Sequence, residues 1–514
     1  MRHLFNLFLL VAMLPFATQA QMIHSCGTTP YSEGFELQKD RLRNNLRLAA
    51  QGTVSARDIS YVPIKFHVGA RNDGSGRISH QKVLDQLCEL NEDFAPLDIQ
   101  FFLADGTVNY INNTTFYENH IATQNSVMAA QRDPRAMNVY VVESANTDGG
   151  SGGGVTLAYY NIPRDWIVIT RTYIDEDDAT LSHEIGHFFS LLHTFNGWEC
   201  GGYNEEGTPA PTTGSCTGIG GNIPTERANG TNCENSGDYI CDTPADYNNG
   251  IGWSGCNFTL QVQDPLGEII DPDERNYMSY FLNCPDEEYF FSDQQIEAIQ
   301  LDLNSSSRNF LRIDPVPEYV AIEGTATLIY PLADDVTDAY NYVNFQWEAV
   351  EGATQYLLEI DRVTSFSLFP IRIITSGTSA VVEELNADTR YYYRVRPYNA
   401  HYTCADNSAT TSFRTGTEVV STTSPEFVEA FTVAPNPVRA QNELQVYLNT
   451  DQAFSGQLEL LDINGRATAI REQHQFALGE NRISLELSDL PNGIYLLRMH
   501  SAEGILTQKI VLAR

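Results

Sequence analysis

Three histidines and one glutamate fall in a single short segment whose spacing suits metal chemistry. His183 and His187 are four positions apart, and Glu184 directly follows the first of them. Positions i and i+4 of a helix share a face, so both imidazoles can bind the same metal ion. Glu184 then lies beside any water on that ion and can accept its proton. The segment therefore predicts a site for metal-assisted hydrolysis.

The third histidine, His193, can join this site only if the helix ends before it. On a continuous helix its direction and its rise would carry it away from His183. We therefore expect a helix that begins near Asp178 and stops near residue 190, after which the chain turns back. Three imidazoles suit zinc, which lowers the pKa of its bound water to about 7. The alternative is that these are ordinary helix residues, but the whole chain has only 11 histidines.

The elements that must position this segment are predicted to form a mixed α/β domain. Period-2 or continuous apolar patterns predict strands, and apolar residues at helical spacing predict helices. The predicted strands are 61–68, 99–103, 138–142 and 166–170, and the predicted helices include 34–50, 79–94 and 292–303. Residues 196–275 show little periodicity, and a loop this long needs disulfides or bound calcium to stay ordered.

Composition and the N-terminus limit where the chain acts. It has 514 residues and a formal net charge of −35. An acidic surface of this kind repels nucleic acids and anionic membranes. We expect no nucleic-acid partner. Basic residues, the apolar run 4–16 and small residues before Gln21 predict a signal peptide over 1–20. That run is too short to span a bilayer, and we expect no transmembrane segment.

The cysteines support export. Six of the nine lie between residues 200 and 284, a clustering typical of disulfides that hold an irregular region in an exported chain. The residues alone do not decide the pairing. Because the total is odd, at least one thiol is left unpaired.

Several blocks of this sequence resemble the pappalysin (cytophagalysin) family of metzincin zinc metalloproteases. The matching blocks are 183–187, 191–195, 242–245 and 276–280, within a region of about 60–313. The resemblance implies a zincin-like catalytic domain. It also implies that zinc is bound by His183, His187 and His193.

The same resemblance implies the roles of further residues. Glu184 is expected to be the general base, Met278 to form an apolar floor below the metal, and Tyr280 to stabilise the oxyanion. One position departs from the family motif, because Ser190 stands where the family has glycine. A left-handed residue other than glycine costs about 1–2 kcal/mol, so the turn towards His193 is less comfortable here.

Latency and a calcium site also follow from the resemblance. Cys26 lies in a Cys-Gly-Thr block like those of family pro-segments, where a thiolate caps the zinc; an inert or disulfide-bonded Cys26 is the alternative. The region of Asp238, Asp242 and Thr243 matches one that binds calcium in some relatives. We also favour a disulfide between the cysteines that flank the methionine turn, Cys256 and Cys284.

The C-terminal part is predicted to be all-β. Residues 318–417 resemble a fibronectin type III domain, with Trp347 in the core and Tyr391 at the tyrosine corner. Residues 430–514 resemble the C-terminal sorting domain of the type IX secretion system. The blocks that carry this second resemblance are 434–437, 461–466, 490–496 and 509–511.

These observations combine into a multidomain chain with an α/β metzincin domain followed by two β-sandwich domains. The expected boundaries are a signal peptide 1–20, a pro-segment 21–57, a catalytic domain 58–313, a fibronectin-like domain 318–417, a linker 418–429 and a sorting domain 430–514. We expect a secreted or surface-attached zinc endopeptidase, made as a zymogen, that acts on proteins or peptides. Its expected partners also include the type IX machinery. The alternative is a surface adhesin with an inactive protease-like domain.

Overall fold

The computed structural model describes most of the chain and divides it into two compact units, one ending at Glu318 and the other starting at Tyr319. Cys26, Cys284 and the predicted signal peptide lie outside the described residues. The described residues are 24–25, 28, 32–52, 59–147, 155–175, 178–216, 222–247, 253–254, 256–280, 289–313, 318–383, 385–418, 425, 427–439, 442–462, 467–488, 490–501 and 504–513.

The first unit contains all six described α-helices and the ten strands that precede the second unit. The helices are α1 (Phe35–Ala49), α2 (His80–Asp93), α3 (Thr114–Glu118), α4 (Ala129–Gln131), α5 (Thr180–Phe188) and α6 (Asp293–Leu303). The strands are β1 (His24–Ser25), β2 (Ser60–Ala70), β3 (Ile99–Leu103), β4 (Asn109–Asn112), β5 (Met137–Val142), β6 (Val155–Thr156), β7 (Ala158–Asn161), β8 (Trp166–Thr170), β9 (Trp253–Ser254) and β10 (Asn257–Phe258). The predicted strands and helices are thus present, with ends shifted by a few residues.

A mixed sheet lies at the centre of this unit. Its order is β3-β2-β5-β8-β7, with β4 also paired to β2, and β7 is the antiparallel edge strand. β5 and β8 are buried along their whole length, as expected for parallel strands covered on both faces. Helix α5 packs on β7 and β8, and α2 packs on β3.

Helix α1 is built into the same unit, although it lies inside the predicted pro-segment. It packs against α6. Its buried residues include Phe35, Gln38, Leu42 and Asn45, which recur at helical spacing and so form one face. Two of these four carry amides, and their hydrogen bonds reach the end of α5 and the end of α6.

The irregular region after α5 has its own small core. Phe195, Trp198, Tyr247 and Val262 are buried together with Tyr280. Two disulfides, Cys200–Cys216 and Cys233–Cys241, close short loops there. The prediction that disulfides hold this region is confirmed. Because Cys284 lies outside the described residues, its pairing with Cys256 stays a prediction.

The second unit consists of antiparallel sheets in two sandwiches. The sheets have the orders β11-β12-β15 and β14-β13-β16-β17 in the first sandwich, and β18-β19-β22 and β21-β20-β23-β24 in the second. The strands are β11 (Leu328–Tyr330), β12 (Val343–Trp347), β13 (Gln355–Asp361), β14 (Ile371–Thr375), β15 (Ser379–Val382), β16 (Arg390–Tyr398), β17 (Thr411–Arg414), β18 (Val428–Ala434), β19 (Glu443–Thr450), β20 (Phe454–Asp462), β21 (Ala467–Phe476), β22 (Gly479–Glu486), β23 (Gly493–Ser501) and β24 (Gly504–Leu512).

Trp347 and Tyr391 belong to the core of the first sandwich. The Tyr391 hydroxyl accepts a hydrogen bond from the backbone N–H of Asn386 at 3.0 Å, the kind of contact that defines a tyrosine corner. Both sheets of each sandwich contribute to its core, so the predicted all-β architecture of this part is present.

Candidate metal centre

Helix α5 is the element that carries the histidine motif. All of its residues, Thr180–Phe188, are buried, so the helix is a core element rather than a surface one. Just before it, Asp178 accepts a hydrogen bond from the Thr180 backbone N–H at 2.8 Å, which satisfies one of the first N–H groups of the helix. His183 and His187 lie on one face, with ring centroids 4.7 Å apart.

The helix ends where the third histidine requires it to end. The Ser190 N–H bonds to the carbonyl of His187 at 2.9 Å, and the Leu191 N–H bonds to the carbonyl of Gly186 at 3.0 Å. This pair of bonds is the Schellman motif, whose first residue beyond the helix is left-handed. Ser190 has φ 77°, so it adopts the conformation that the family's glycine would adopt. The predicted turn is therefore formed in spite of the serine.

The turn brings His193 to the other two histidines. One ligand atom from each of the three imidazoles lies within 4.8 Å of the others. His187 Nε2 and His193 Nε2 are 3.1 Å apart, while His183 Nε2 is buried and has no hydrogen-bond partner in the described structure. Buried polar atoms are normally paired, so these three nitrogens fit a shared metal ion.

The opposite ring nitrogens are held by other groups. His183 Nδ1 donates to the Tyr277 carbonyl at 2.6 Å, and His187 Nδ1 donates to the Leu191 carbonyl at 2.8 Å. Each bond keeps the proton on Nδ1 and leaves Nε2 without a proton, so that it can bind a metal ion. His193 Nδ1 lies 3.6 Å from a carboxylate oxygen of Glu199, whose side chain is buried.

Burial keeps the three imidazoles neutral, which is the form that binds metal. It lowers the pKa of His183 and of His193 to about 3 and holds the pKa of His187 well below its usual value. Neighbouring imidazoles lower the pKa values of His183 and His187 further. Burial also raises the pKa of Glu199 to about 8, and a cation on His193 would favour its ionised form.

Glu184 is fully buried beside His183. Three nitrogen ligands with one position left for water form the donor set of catalytic zinc sites. The residues present therefore fit zinc and a neighbouring carboxylate base.

Met278 and Tyr280 both contact the segments that carry the three histidines. Met278 is fully buried against Gly186, so closely that a Cβ at residue 186 would overlap its sulfur. Its carbonyl accepts the Thr194 N–H at 3.1 Å, which ties this turn to the segment that carries His193. The ring of Tyr280 is centred 5.0 Å from the His193 ring.

The residues predicted to bind calcium separate into two groups. Thr243 Oγ1 donates to the buried Asp238 carboxylate at 3.0 Å. Asp242 instead accepts bonds from Ser292 Oγ at 2.6 Å and from the Gln294 N–H at 2.8 Å, so it caps the start of α6.

Asp238 also belongs to a group of buried carboxylates that we did not predict. Burial is the main cause that raises the pKa of Asp238 to about 8 and the pKa of Glu226 to about 9. The negative charge of Asp246 contributes to both shifts. Three buried acids near one another favour either protonation or a bound cation.

Several positioning groups were missed at the sequence level. Gln38 Nε2 donates to the carbonyls of His187 at 3.1 Å and Leu191 at 2.8 Å, from a helix far away in the sequence. Only the buried face of α1 could have hinted at such a role. Glu199 lies only a few residues after His193 in the sequence, so a contact between the two was easier to predict than the contact of Gln38.

Comparison with known families identifies the C-terminal part. Residues 432–513 match the secretion system C-terminal sorting domain, which confirms the predicted sorting role of this region. Among the described residues, no helix is long and apolar enough to cross a membrane. The sorting domain, together with the extracellular relatives below, indicates secretion or a cell-surface location.

A solved fibronectin type III domain, the sixth of human fibronectin type III domain containing protein 3, is 15% identical to the chain. The comparison covers 22% of this chain and 98% of that domain, with a TM-score of 0.16. A score this low establishes no shared fold.

Curated relatives are similar to part of the chain. An extracellular metalloprotease of Verticillium alfalfae is 29% identical over 39% of this chain and 74% of that protein. One from Neurospora crassa is 25% identical over 52% of this chain and 83% of that protein. One from Colletotrichum graminicola is 31% identical over 40% of this chain and 77% of its own length. With this likeness and a three-histidine centre in its first unit, the chain belongs to the family of these extracellular metalloproteases.

Proposed function

We propose that the chain is a secreted zinc endopeptidase of the pappalysin type. The observation that carries the proposal is the convergence of three buried imidazoles, of which His183 and His187 each have Nδ1 bonded to a carbonyl. Zinc, when bound there, supplies a water of lowered pKa and polarises the carbonyl of the scissile bond. The extracellular relatives support the assignment of peptide bonds as substrates.

The chain's own residues would move the proton and hold the developing charge. Glu184 takes the proton from the attacking water and then passes it to the leaving amine. The Tyr280 hydroxyl donates towards the oxygen of the carbonyl under attack, where negative charge develops. Met278, which is fully buried, packs closely against Gly186 of α5 and excludes water from that face of the helix.

Glu184→Ala tests this function against the adhesin alternative. We expect the variant to bind one zinc per chain, as the wild type does, and to cleave a generic protein such as casein at least about 100-fold more slowly. Metal analysis and proteolysis of the same preparations provide both measurements. A wild type that binds no zinc, or that does not cleave casein, would favour the adhesin. A variant as active as an active wild type would instead exclude Glu184 as the base.

We further propose latency through the segment that contains Cys26. β1 pairs in parallel with β6, and the Thr28 hydroxyl accepts the Tyr160 N–H at 3.0 Å and lies 3.3 Å from the Tyr160 carbonyl, to which it donates. The segment thus uses backbone groups of an edge strand that a bound peptide could use. Cys26 lies between these two contacts in the sequence and is proposed to cap the zinc.

Cys26→Ala tests this latency. The uncleaved variant should already hydrolyse a peptide, whereas the uncleaved wild type should not. Equal latency of the two uncleaved chains would contradict the role of Cys26.

Calcium is proposed at Asp238 and Thr243, with the neighbouring Glu226 and Asp246 as further oxygen donors. Asp242 is engaged at the start of α6, so its carboxylate is the weaker candidate. Calcium should raise the unfolding temperature of the wild type and of Asp242→Asn, but not that of Asp238→Asn. An equal response of all three would exclude Asp238.

The second unit is proposed to contain a fibronectin type III domain and a type IX sorting domain. The core positions of Trp347 and Tyr391 support the first assignment, and the family match over 432–513 supports the second. Removing residues 430–514 should leave the chain in the periplasm of a producing cell that has a type IX system, as detected in cell fractions. Release of the truncated chain into the medium would count against this route.

A further inference from the structure

The turn after α5 is held in a conformation that its sequence disfavours. Ser190 is left-handed, with φ 77°, at a position where glycine would be unstrained. His193 follows three residues later, so any relaxation of this turn would move a metal ligand. The structure must therefore hold Ser190 by contacts that glycine would not require.

A buried hydroxyl–carboxylate bond provides one such contact. Ser190 Oγ donates to Asp302 Oδ1 at 2.9 Å, and both side chains are 1% exposed. A hydrogen bond to an ionised group in a buried site is among the stronger ones in proteins. Asp302 lies near the end of α6, so it ties this helix to the turn.

Arg308 contacts both Asp302 and the end of α5. Its Nε donates to Asp302 Oδ2 at 2.8 Å, and its guanidinium also donates to the carbonyl of Phe188, the last residue of α5. The guanidinium lies 3.9 Å from the centre of the Phe188 ring. Arg308 therefore holds the end of α5 at Phe188, while Asp302 holds Ser190, two residues further along the chain.

A second carboxylate, that of Asp165, also contacts Arg308. Arg308 donates to Asp165 at 2.6 Å, and Asp165 also accepts the Tyr160 hydroxyl at 2.7 Å. The surrounding negative charges raise the pKa of Arg308 well above its usual value, so it remains charged although it is buried. Arg308 is thus bonded both to Asp302, which contacts the turn, and to Asp165.

We propose that Asp302, oriented by Arg308, is a positioning residue for the zinc ligand His193 and acts through the hydroxyl of Ser190. The bond between Ser190 and Asp302 offsets the strain that glycine would avoid at this position. A side-chain contact thus stabilises a left-handed backbone conformation that glycine would adopt without help. The proposal rests on the proposed zinc site. It concerns the affinity of that site, not the hydrolytic step.

Zinc affinity of the full chain, measured by competition with a chromophoric chelator, tests the proposal. All variants carry Glu184→Ala, so that the chain does not digest itself. Ser190→Ala keeps the strain and loses the bond, and we expect it to bind zinc about 10-fold or more weakly, as for other groups that orient a metal ligand. Ser190→Gly loses the bond and the strain together, and we expect little change.

A second pair of variants keeps the test decisive if Ser190→Ala does not fold. Asp302→Asn should weaken zinc binding in the Ser190 chain, and clearly less in the chain that also carries Ser190→Gly. Ser182→Ala is the matched control, because Ser182 on α5 also donates to a carboxylate, that of Asp93, but lies before the histidines. It should leave zinc affinity within about threefold of the parent, well short of the loss expected for an orienting group.

Three results would overturn the proposal. Ser190→Ala could bind zinc like the parent, or Ser190→Gly could lose as much affinity as Ser190→Ala. Asp302→Asn could weaken binding equally in both backgrounds. If the Glu184→Ala parent itself binds no zinc, the proposed function fails together with the inference, and this result is distinct from the other three.

Discussion

His183, His187 and His193 direct ring nitrogens towards one another because other groups hold the opposite sides of the rings. The acceptors that orient the first two rings are the backbone carbonyls of Tyr277 and Leu191. A side-chain substitution at either residue would leave its carbonyl in the chain. Backbone acceptors of this kind fix the ring and its tautomer together. At the scale of single residues, the centre therefore depends on where loops place their carbonyls.

Gly186 illustrates how closely the centre is packed. Since a Cβ there would overlap the sulfur of Met278, Gly186→Ala should lower the free energy of unfolding by about 1–3 kcal/mol. Urea unfolding of the Glu184→Ala chain measures the effect. The double variant Gly186→Ala/Met278→Ala should be destabilised by less than the sum of the two single variants, since the second change makes room for the first. Simple additivity would show that the two residues do not conflict.

At the scale of elements, the centre lies between helices from distant parts of the sequence. α5 carries two of the three proposed ligands, the turn after it leads to the third, and α6 contacts that turn through Asp302. Helix α1 contributes Gln38 to the carbonyls at the end of α5 and Asn45 to the Asp302 carboxylate at 3.4 Å. Helix α1, which lies in the predicted pro-segment, thus contacts the residues that position the histidines.

Gln38→Ala tests the contribution of α1. The His187 and Leu191 carbonyls would each lose one donor, so the uncleaved chain should lose about 1–3 kcal/mol of stability. Asn44→Ala on the exposed face of the same helix is the control and should change stability by less than about 0.5 kcal/mol. Equal effects of the two variants would mean that Gln38 acts only through helix propensity. Chemical unfolding of both chains provides the comparison.

At the scale of the whole molecule, acid stability depends on buried neutral histidines away from the metal centre. Burial is the main cause that lowers the pKa of His67 and of His120 to about 4. His67 lies between Asn138 and Asn109 and stacks on Tyr140, so both ring nitrogens have neutral partners. In the unfolded chain each histidine titrates near its usual pKa of about 6.5.

The sign of the pH dependence follows from these pKa values. Between about pH 6.5 and 4 the unfolded chain binds protons that the folded His67 and His120 do not, so stability falls as the pH falls. Each histidine should contribute on the order of 2–3 kcal/mol over this range. Urea unfolding at pH 7 and 4.5 should show a smaller difference for His67→Gln than for the wild type. An unchanged pH difference in His67→Gln would contradict the assignment.

Local patterns were sufficient for much of this chain. The longer strands and helices of the first unit follow from periodicity, because burial on one or two faces imposes that periodicity directly, whereas its short elements were not predicted. The pairing of His183 and His187 as proposed ligands follows from helical geometry alone. His193 follows from the argument that the helix must stop, and the structure ends the helix at Phe188.

The tertiary structure decided how that stop is achieved and what surrounds it. The sequence showed a serine in place of glycine, and only the fold brings Asp302 and Arg308 from more than a hundred residues away to hold it. The same is true of Gln38, of the carbonyl of Tyr277 and of the group formed by Glu226, Asp238 and Asp246. Metal ligands can be recognised by spacing because one helix presents them, whereas the groups that orient ligands come from separate elements and meet only when the chain has folded.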